Sequence, residues 1–183
     1  MVRLAAERGL ENVRIEEIAA EAGVSPRTFN NYFSSKHEAV GYRHVSRMRR
    51  SAELLRARPA AEPLWEAITE AVLEPLGRGD RVTRSPGAEL LAGLRLLVTE
   101  AASDQTHLKI MVTADRDFAL AVAERTGTDA ERDLYPRLVA AAVSTAVHVA
   151  TERFLHADPP VPLIVLLREA LAQLAAGMPD PSR

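Results

Sequence analysis

The stretch Ile15-Glu16-Glu17-Ile18-Ala19-Ala20-Glu21-Ala22-Gly23-Val24-Ser25-Pro26-Arg27-Thr28 decides how this chain is read. Ile15, Ile18, Ala19 and Ala22 recur at helical spacing and run into Gly23, a helix C-terminal signal. Ser25-Pro26 then supplies an N-cap oxygen, worth ~1 kcal/mol, and a proline at the first position of a new helix. Two short helices joined by a tight Gly-containing turn have the grammar of a helix–turn–helix, with small Ala where the helices cross and Val24 and Phe29 as further apolar contacts. The second helix carries Ser25, Arg27, Thr28, Asn30, Asn31 and Tyr32, whose hydroxyl, amide and guanidinium groups suit phosphates and base edges. Lys36 follows at the start of the next helix, where its charge and the local backbone amides could hold a phosphate. The plainer alternative is an αα-hairpin with a solvated polar face.

Charge is distributed to match. The net charge of −2 conceals +4 up to Arg58 and −6 from Pro59 onward, so an anionic partner is expected for the first part only. A hydrophobic fraction of 47% beside 26% charged residues is too apolar for disorder, and 4% aromatics leave the core to Ala, Leu and Val. That composition favours close-packed helices. With no cysteine, disulfides, thiolate metal sites and cysteine nucleophiles are excluded, and a cytoplasmic location is expected. The apolar run Leu138 to Ala150 is short and interrupted by Ser144, Thr145 and His148, so neither a membrane span nor an export signal is expected.

Gly and Pro divide the chain into helical blocks: Val2 to Arg8, Ile15 to Ala22, Pro26 to about Asn31, Ser35 to about Ala57, Leu64 to Leu76, Pro86 to about Ala101, a short helix carrying Leu108 and Met111, one capped by Asp115 and ending at Gly127, Asp129 to about Leu155, and Pro162 to Ala176. An all-α fold is predicted, with residues 1–46 as a three-helix DNA-binding module and 47–183 as a larger helical domain that includes the dimerisation surface. The last two helices are thickly apolar, more than a monomer of this size easily covers. A homodimer interface is expected there, using Val147, Thr151, Leu163, Leu167, Leu171 and Leu174.

Catalytic patterns are missing from the sequence. Gly77 and Gly79 lack the third glycine of a phosphate loop, and no strand precedes them. His37-Glu38 begins like a zinc-peptidase motif, yet the position four residues on is Gly41 and the next histidine is His44. No enzyme activity, cofactor or metal is predicted.

The segment Ile15 to Val40, IEEIAAEAGVSPRTFNNYFSSKHEAV, resembles the DNA-binding signature of the TetR/AcrR family of bacterial transcription regulators, including the Gly-Val-Ser turn, the Tyr32-Phe33 pair and Lys36. The resemblance implies a dimer whose last two helices form the interface, a palindromic double-stranded DNA operator, and a ligand-binding role for residues 47–183 with a small hydrophobic effector. Its pocket is then expected among the helices before the last two and the long one, lined by Leu94, Leu97, Met111 and Phe118, with Ser144 and His148 to orient the ligand and Arg95 and Arg116 available for an anionic end. The segment around Asp133 and Tyr135 to Ala142 is similar to a subgroup taken to bind acyl-CoA-like ligands, which points to an acyl-CoA or fatty acyl effector. In two respects the sequence departs from the family. The first helix is short, with eight residues before Gly9, and Arg14 stands where the family has a Thr or Ser N-cap. The expected function is a ligand-responsive regulator, a repressor released by its effector. The alternative is a helical small-molecule-binding protein that has lost DNA binding through its short first helix.

Overall fold

A computed structural model of the chain describes residues 4, 8–9, 11–77, 91–95 and 105–180, with the side chains of 40, 41, 43, 44 and 105–114 left aside. The described residues are helical and contain no strand. The helices are α1 (Ile15–Glu21), α2 (Pro26–Tyr32), α3 (Lys36–Ala57), α4 (Leu64–Leu73), α5 (Gln105–Thr126), α6 (Leu134–His156) and α7 (Leu163–Ala175), with a 3-10 turn at Glu74–Leu76 after α4. Leu4, Arg8 and residues 91–95 are also helical. The chain divides into two compact units: Met1–Val45 with Pro86–Val112, and Ser46–Ser85 with Thr113–Arg183.

In the first unit the α1–α2 pair closes over a small core of Val13, Ile18, Ala19, Phe29 and Ala39, against which Leu4, Ile15 and Phe33 pack. Gly23 forms the turn at φ +69°, a left-handed conformation in which a side chain would be strained. The Phe29 and Phe33 rings lie 5.3 Å apart, and Phe33 meets Tyr42 edge-on at 5.4 Å, so aromatic contacts tie α2 to α3.

The second unit is built around alanines. Met48, Ala52 and Leu55 of α3, Ala67, Ile68 and Ala71 of α4, Phe118 and Val122 of α5, Ala140, Val143 and Ala150 of α6, and Leu167 and Leu171 of α7 are all buried. Small side chains let these helices approach closely, and α7 packs on both α6 and α4. Arg49 meets Asp117 at 2.9 Å, and Arg56 holds Glu124 through two bonds of 2.7 and 3.1 Å. Both partners advance by seven residues between these pairs, so α3 and α5 run side by side in the same direction. The Arg125 guanidinium then donates to the carbonyl oxygens of Arg58, Pro59 and Glu62 at 3.2, 2.6 and 2.7 Å, satisfying acceptors just beyond the end of α3.

Two helix boundaries differ from expectation. No break occurs at Asp115: α5 is continuous over 22 residues, and the Asp115 carboxylate accepts a bond from the Ser144 hydroxyl rather than capping a helix. Asp129 does not begin α6. Its carboxylate closes a turn by accepting the Glu131 and Arg132 N–H groups at 2.7 and 3.2 Å, and α6 starts at Leu134 with Pro136 in its first turn, where the missing N–H costs nothing. Of the helix expected over Pro86 to Ala101, only 91–95 falls within the described residues.

Among the described residues α6 alone is long and apolar enough to cross a bilayer, longer than the Leu138 to Ala150 run suggested. Nearly half of its apolar stretch, 44%, is buried inside the protein, as befits a core helix.

Candidate nucleic-acid interface

Arg14 stands at the N-cap of α1, and its side chain has no acceptor to offer. The other half of a capping box is present: the Glu17 carboxylate accepts the Arg14 N–H at 3.0 Å and is gripped by Arg8 at 2.8 Å. The Arg14 amide first, and the Arg8 guanidinium after it, hold the Glu17 carboxyl below its ordinary range. Helix α1 thus keeps a defined start without Ser or Thr at its cap.

For α2, Ser25 is the N-cap: its Oγ accepts the Thr28 N–H at 3.0 Å and lies 2.8 Å from the Thr28 hydroxyl. Pro26 takes the first helical position. Positions 27, 28, 31 and 32 fall on one side of a 3.6-residue helix and 29 and 33 on the other. Burial follows that division. Phe29 is 5% exposed and Tyr32 75%, while Ser25, Arg27, Asn30 and Asn31 are exposed and Thr28 and Phe33 half-buried. The outer face therefore offers a guanidinium, amides, hydroxyls and a phenol on a helix anchored from behind by two phenylalanines in tilted contact.

Lys36 begins α3, as expected, and its side chain reaches back to the segment before α1. Its ammonium donates to the Glu11 carbonyl oxygen at 3.1 Å and lies 4.0 Å from the Glu11 carboxylate, with a side chain only 18% exposed. His37 Nε2 sits 3.3 Å from the same carboxylate. The start of α3 is thereby tied to the turn before α1. That start is capped in its own right: Ser35 Oγ accepts the Glu38 N–H at 3.0 Å, while the Glu38 carboxylate accepts the Ser34 hydroxyl and N–H at 2.7 and 2.6 Å. The Ser34 bonds hold the Glu38 carboxyl below its usual range. The Ser35 and Glu38 spacing was a legible capping signal; the role of Glu11 had no local one.

The residues expected to form an effector pocket are divided between the two units and the residues that are not described. Phe118 is fully buried in the second unit and Leu94 half-buried in the first, whereas Leu97 and the Met111 side chain lie outside the described residues. Ser144 is buried and donates to Asp115 at 2.5 Å, and burial pushes the Asp115 carboxyl up, against the pull of that bond. Thr145 bonds back to the Ala141 carbonyl at 2.9 Å, and His148 is exposed.

Of the expected interface residues, Val147, Leu167 and Leu171 are buried within the protomer at 6%, 1% and 0% exposure; Thr151, Leu163 and Leu174 are half-buried. Leu134, Tyr135, Leu138 and Val149 on α6 and Val165 on α7 are the large apolar side chains these helices leave exposed.

Residues 2–40 match the family of bacterial regulatory proteins named for tetR, and residues 62–179 match the MftR C-terminal domain. The chain is also similar to the HTH-type transcriptional regulator TcmR of Streptomyces glaucescens, at 30% identity over 155 residues, 82% of this chain and 68% of that protein. With a helix–turn–helix presenting a hydrogen-bonding face and a helical domain of matching type behind it, the chain belongs to the tetR family of DNA-binding transcriptional regulators, which are not enzymes.

Proposed function

We propose that the chain is a ligand-responsive repressor acting in the cytoplasm as a homodimer on a palindromic operator. The observation that supports it best is the outer face of α2, where Arg27 and Asn31 stand one turn apart, exposed, over the buried Phe29. A guanidinium suits the O6 and N7 of guanine, and a carboxamide suits adenine, in the major groove. Ser25, Thr28, Asn30 and Tyr32 flank them as phosphate and sugar contacts that set register. Lys36 serves chiefly to hold the module together through Glu11.

Dimerisation places two such helices one turn of DNA, ~34 Å, apart, and an effector acts by favouring a dimer in which that spacing is lost. Its affinity must therefore differ between the two states. The effector we favour is largely apolar, an acyl-CoA or fatty acyl group, oriented by the Asp115–Ser144 pair beside the apolar buried side chains of the second unit. The other reading, a small-molecule-binding protein without DNA affinity, rests on the short first helix. Fluorescence anisotropy with the DNA flanking the protein's own gene separates the two. Salt-sensitive, saturable binding to one site, released by an acyl-CoA, supports the repressor; no preference over random DNA would refute it.

A further inference from the structure

Arg14 holds the N-cap of α1 at φ −82° and ψ 150°, the extended backbone of a capping residue, but its side chain makes no cap bond. A Thr or Ser at the same angles would offer an oxygen to the N–H of Glu16 or Glu17, so the arginine forgoes stability where the backbone is already arranged for a cap. Among the described residues nothing uses the guanidinium in return. It is exposed, forms no hydrogen bond or ion pair with them, and acts on Glu17 less than its own backbone amide and Arg8 do. The other cations of residues 4–39 differ in this respect. Arg8 is seated on Glu17 at 2.8 Å and Lys36 on the Glu11 carbonyl oxygen at 3.1 Å, which leaves Arg14 and Arg27 as the two without a bond among the described residues.

In a helix–turn–helix the second helix enters the major groove while the first crosses the phosphate backbone. Helix α1 has seven residues, so it is only roughly 10 Å long, and an arginine at either end can reach that backbone. The charges of the helix itself, Glu16, Glu17 and Glu21, are acidic and repel phosphate, and Arg14 is the one basic residue between Glu11 and Arg27. We propose that Arg14 is a second DNA contact, clasping a backbone phosphate through its guanidinium while Arg27 lies in the groove, and that α1 gives up its side-chain cap for it. The contact belongs to the side chain, since so short a helix has no anion site of its own. A phosphate contact carries no sequence information; it fixes the register and orientation of α2. Its role is thus separate from base reading by Arg27, and it does not depend on the effector or on a palindromic operator.

The test uses the full chain and a random-sequence duplex, on which operator preference and effector play no part. Arg14→Thr should raise the melting temperature by about 2–4 °C, the shift expected when a side-chain cap is restored in a chain of this size. The same variant should bind the duplex more weakly and lower the slope of log Kd against log salt by about 0.9. A fourfold rise in salt should then cost the parent about three- to fourfold more affinity than the variant. Arg14→Lys, which keeps the charge and restores no cap, should retain the parent's slope and melting temperature. A purely structural role would move stability and binding together, not in opposite directions. A slope unchanged in Arg14→Thr, or lowered equally in Arg14→Lys, overturns the phosphate contact. A melting temperature that does not rise in Arg14→Thr overturns the exchange of cap for contact. A parent chain whose affinity for the duplex ignores salt would strike DNA binding by the whole module, and this contact with it.

Discussion

The Lys36 ammonium donates to the Glu11 carbonyl oxygen at 3.1 Å, joining segments 25 residues apart in sequence. A cation turned inward in this way braces the module from which α2 projects. Lys36→Met should therefore lower thermal stability by ~1 kcal/mol, the usual net value of one hydrogen bond, and weaken all DNA binding by loosening the module. The slope of log Kd against log salt should stay as it is. A slope reduced by ~1 would instead make Lys36 a phosphate contact and overturn this assignment.

Arg27 should behave in the opposite way. It is exposed on α2 with no bonding partner among the described residues, so Arg27→Ala should leave the melting temperature unchanged. Operator affinity should fall by ~1–3 kcal/mol, with preference relaxed at one base pair of each half-site. Competition binding against single-base operator variants measures this directly, and undiminished discrimination would remove Arg27 from base reading.

The helix–turn–helix was legible because its signals are local: Gly23 ends one helix, and Ser25-Pro26 starts the next two residues later. Long-range ties were not. Asp115 carries the composition of an N-cap, yet its partner Ser144 lies 29 residues away, and only that pairing explains how a carboxylate sits within a continuous α5. Apolar periodicity marked α6 and α7 as buried on several sides but could not divide those sides between the protomer's core and a partner. Leu167 and Leu171 therefore read as interface residues, although α7 turns them inward. The Arg168–Glu70 ion pair between α7 and α4 had no sequence signal either, since its partners lie about 100 residues apart.

Asp115 makes a pH-dependent prediction. Burial raises its carboxyl above the ordinary 3.8, so folding favours the protonated form, and the charged form is a liability that grows as pH rises through the folded-state value. Below the ordinary value both folded and unfolded chains carry the proton, and the liability vanishes. Asp115→Asn, which keeps an acceptor for Ser144, should accordingly raise the melting temperature at neutral pH, with the gain shrinking as the pH falls toward 3.8. A gain independent of pH, or a loss at neutral pH, would show that the carboxylate is stabilised where it sits.

The last prediction separates assembly from folding on α6 and α7. Leu138 is 62% exposed and shares its side of α6 with Leu134, Ala141, Thr145 and Val149, a stripe at the three- and four-residue spacing of a helix–helix seam. Leu171, at 0% exposure, fills the protomer's own core. Leu171→Ala should cost ~2–5 kcal/mol in the cavity it leaves, lowering the melting temperature of any assembly state. Leu138→Glu should have the reverse profile, because in a lone protomer the new carboxylate reaches water at little cost, whereas across a dimer seam two would be buried unpaired around the two-fold axis. Light scattering at micromolar protein should then give a dimer for the parent chain and a monomer of unaltered helical content for Leu138→Glu. Since half-site spacing requires both recognition helices, this variant should also lose operator affinity while retaining weak non-specific DNA binding. A Leu138→Glu protein that remains dimeric would move the interface off this stripe, to Val165 and the exposed side of α7.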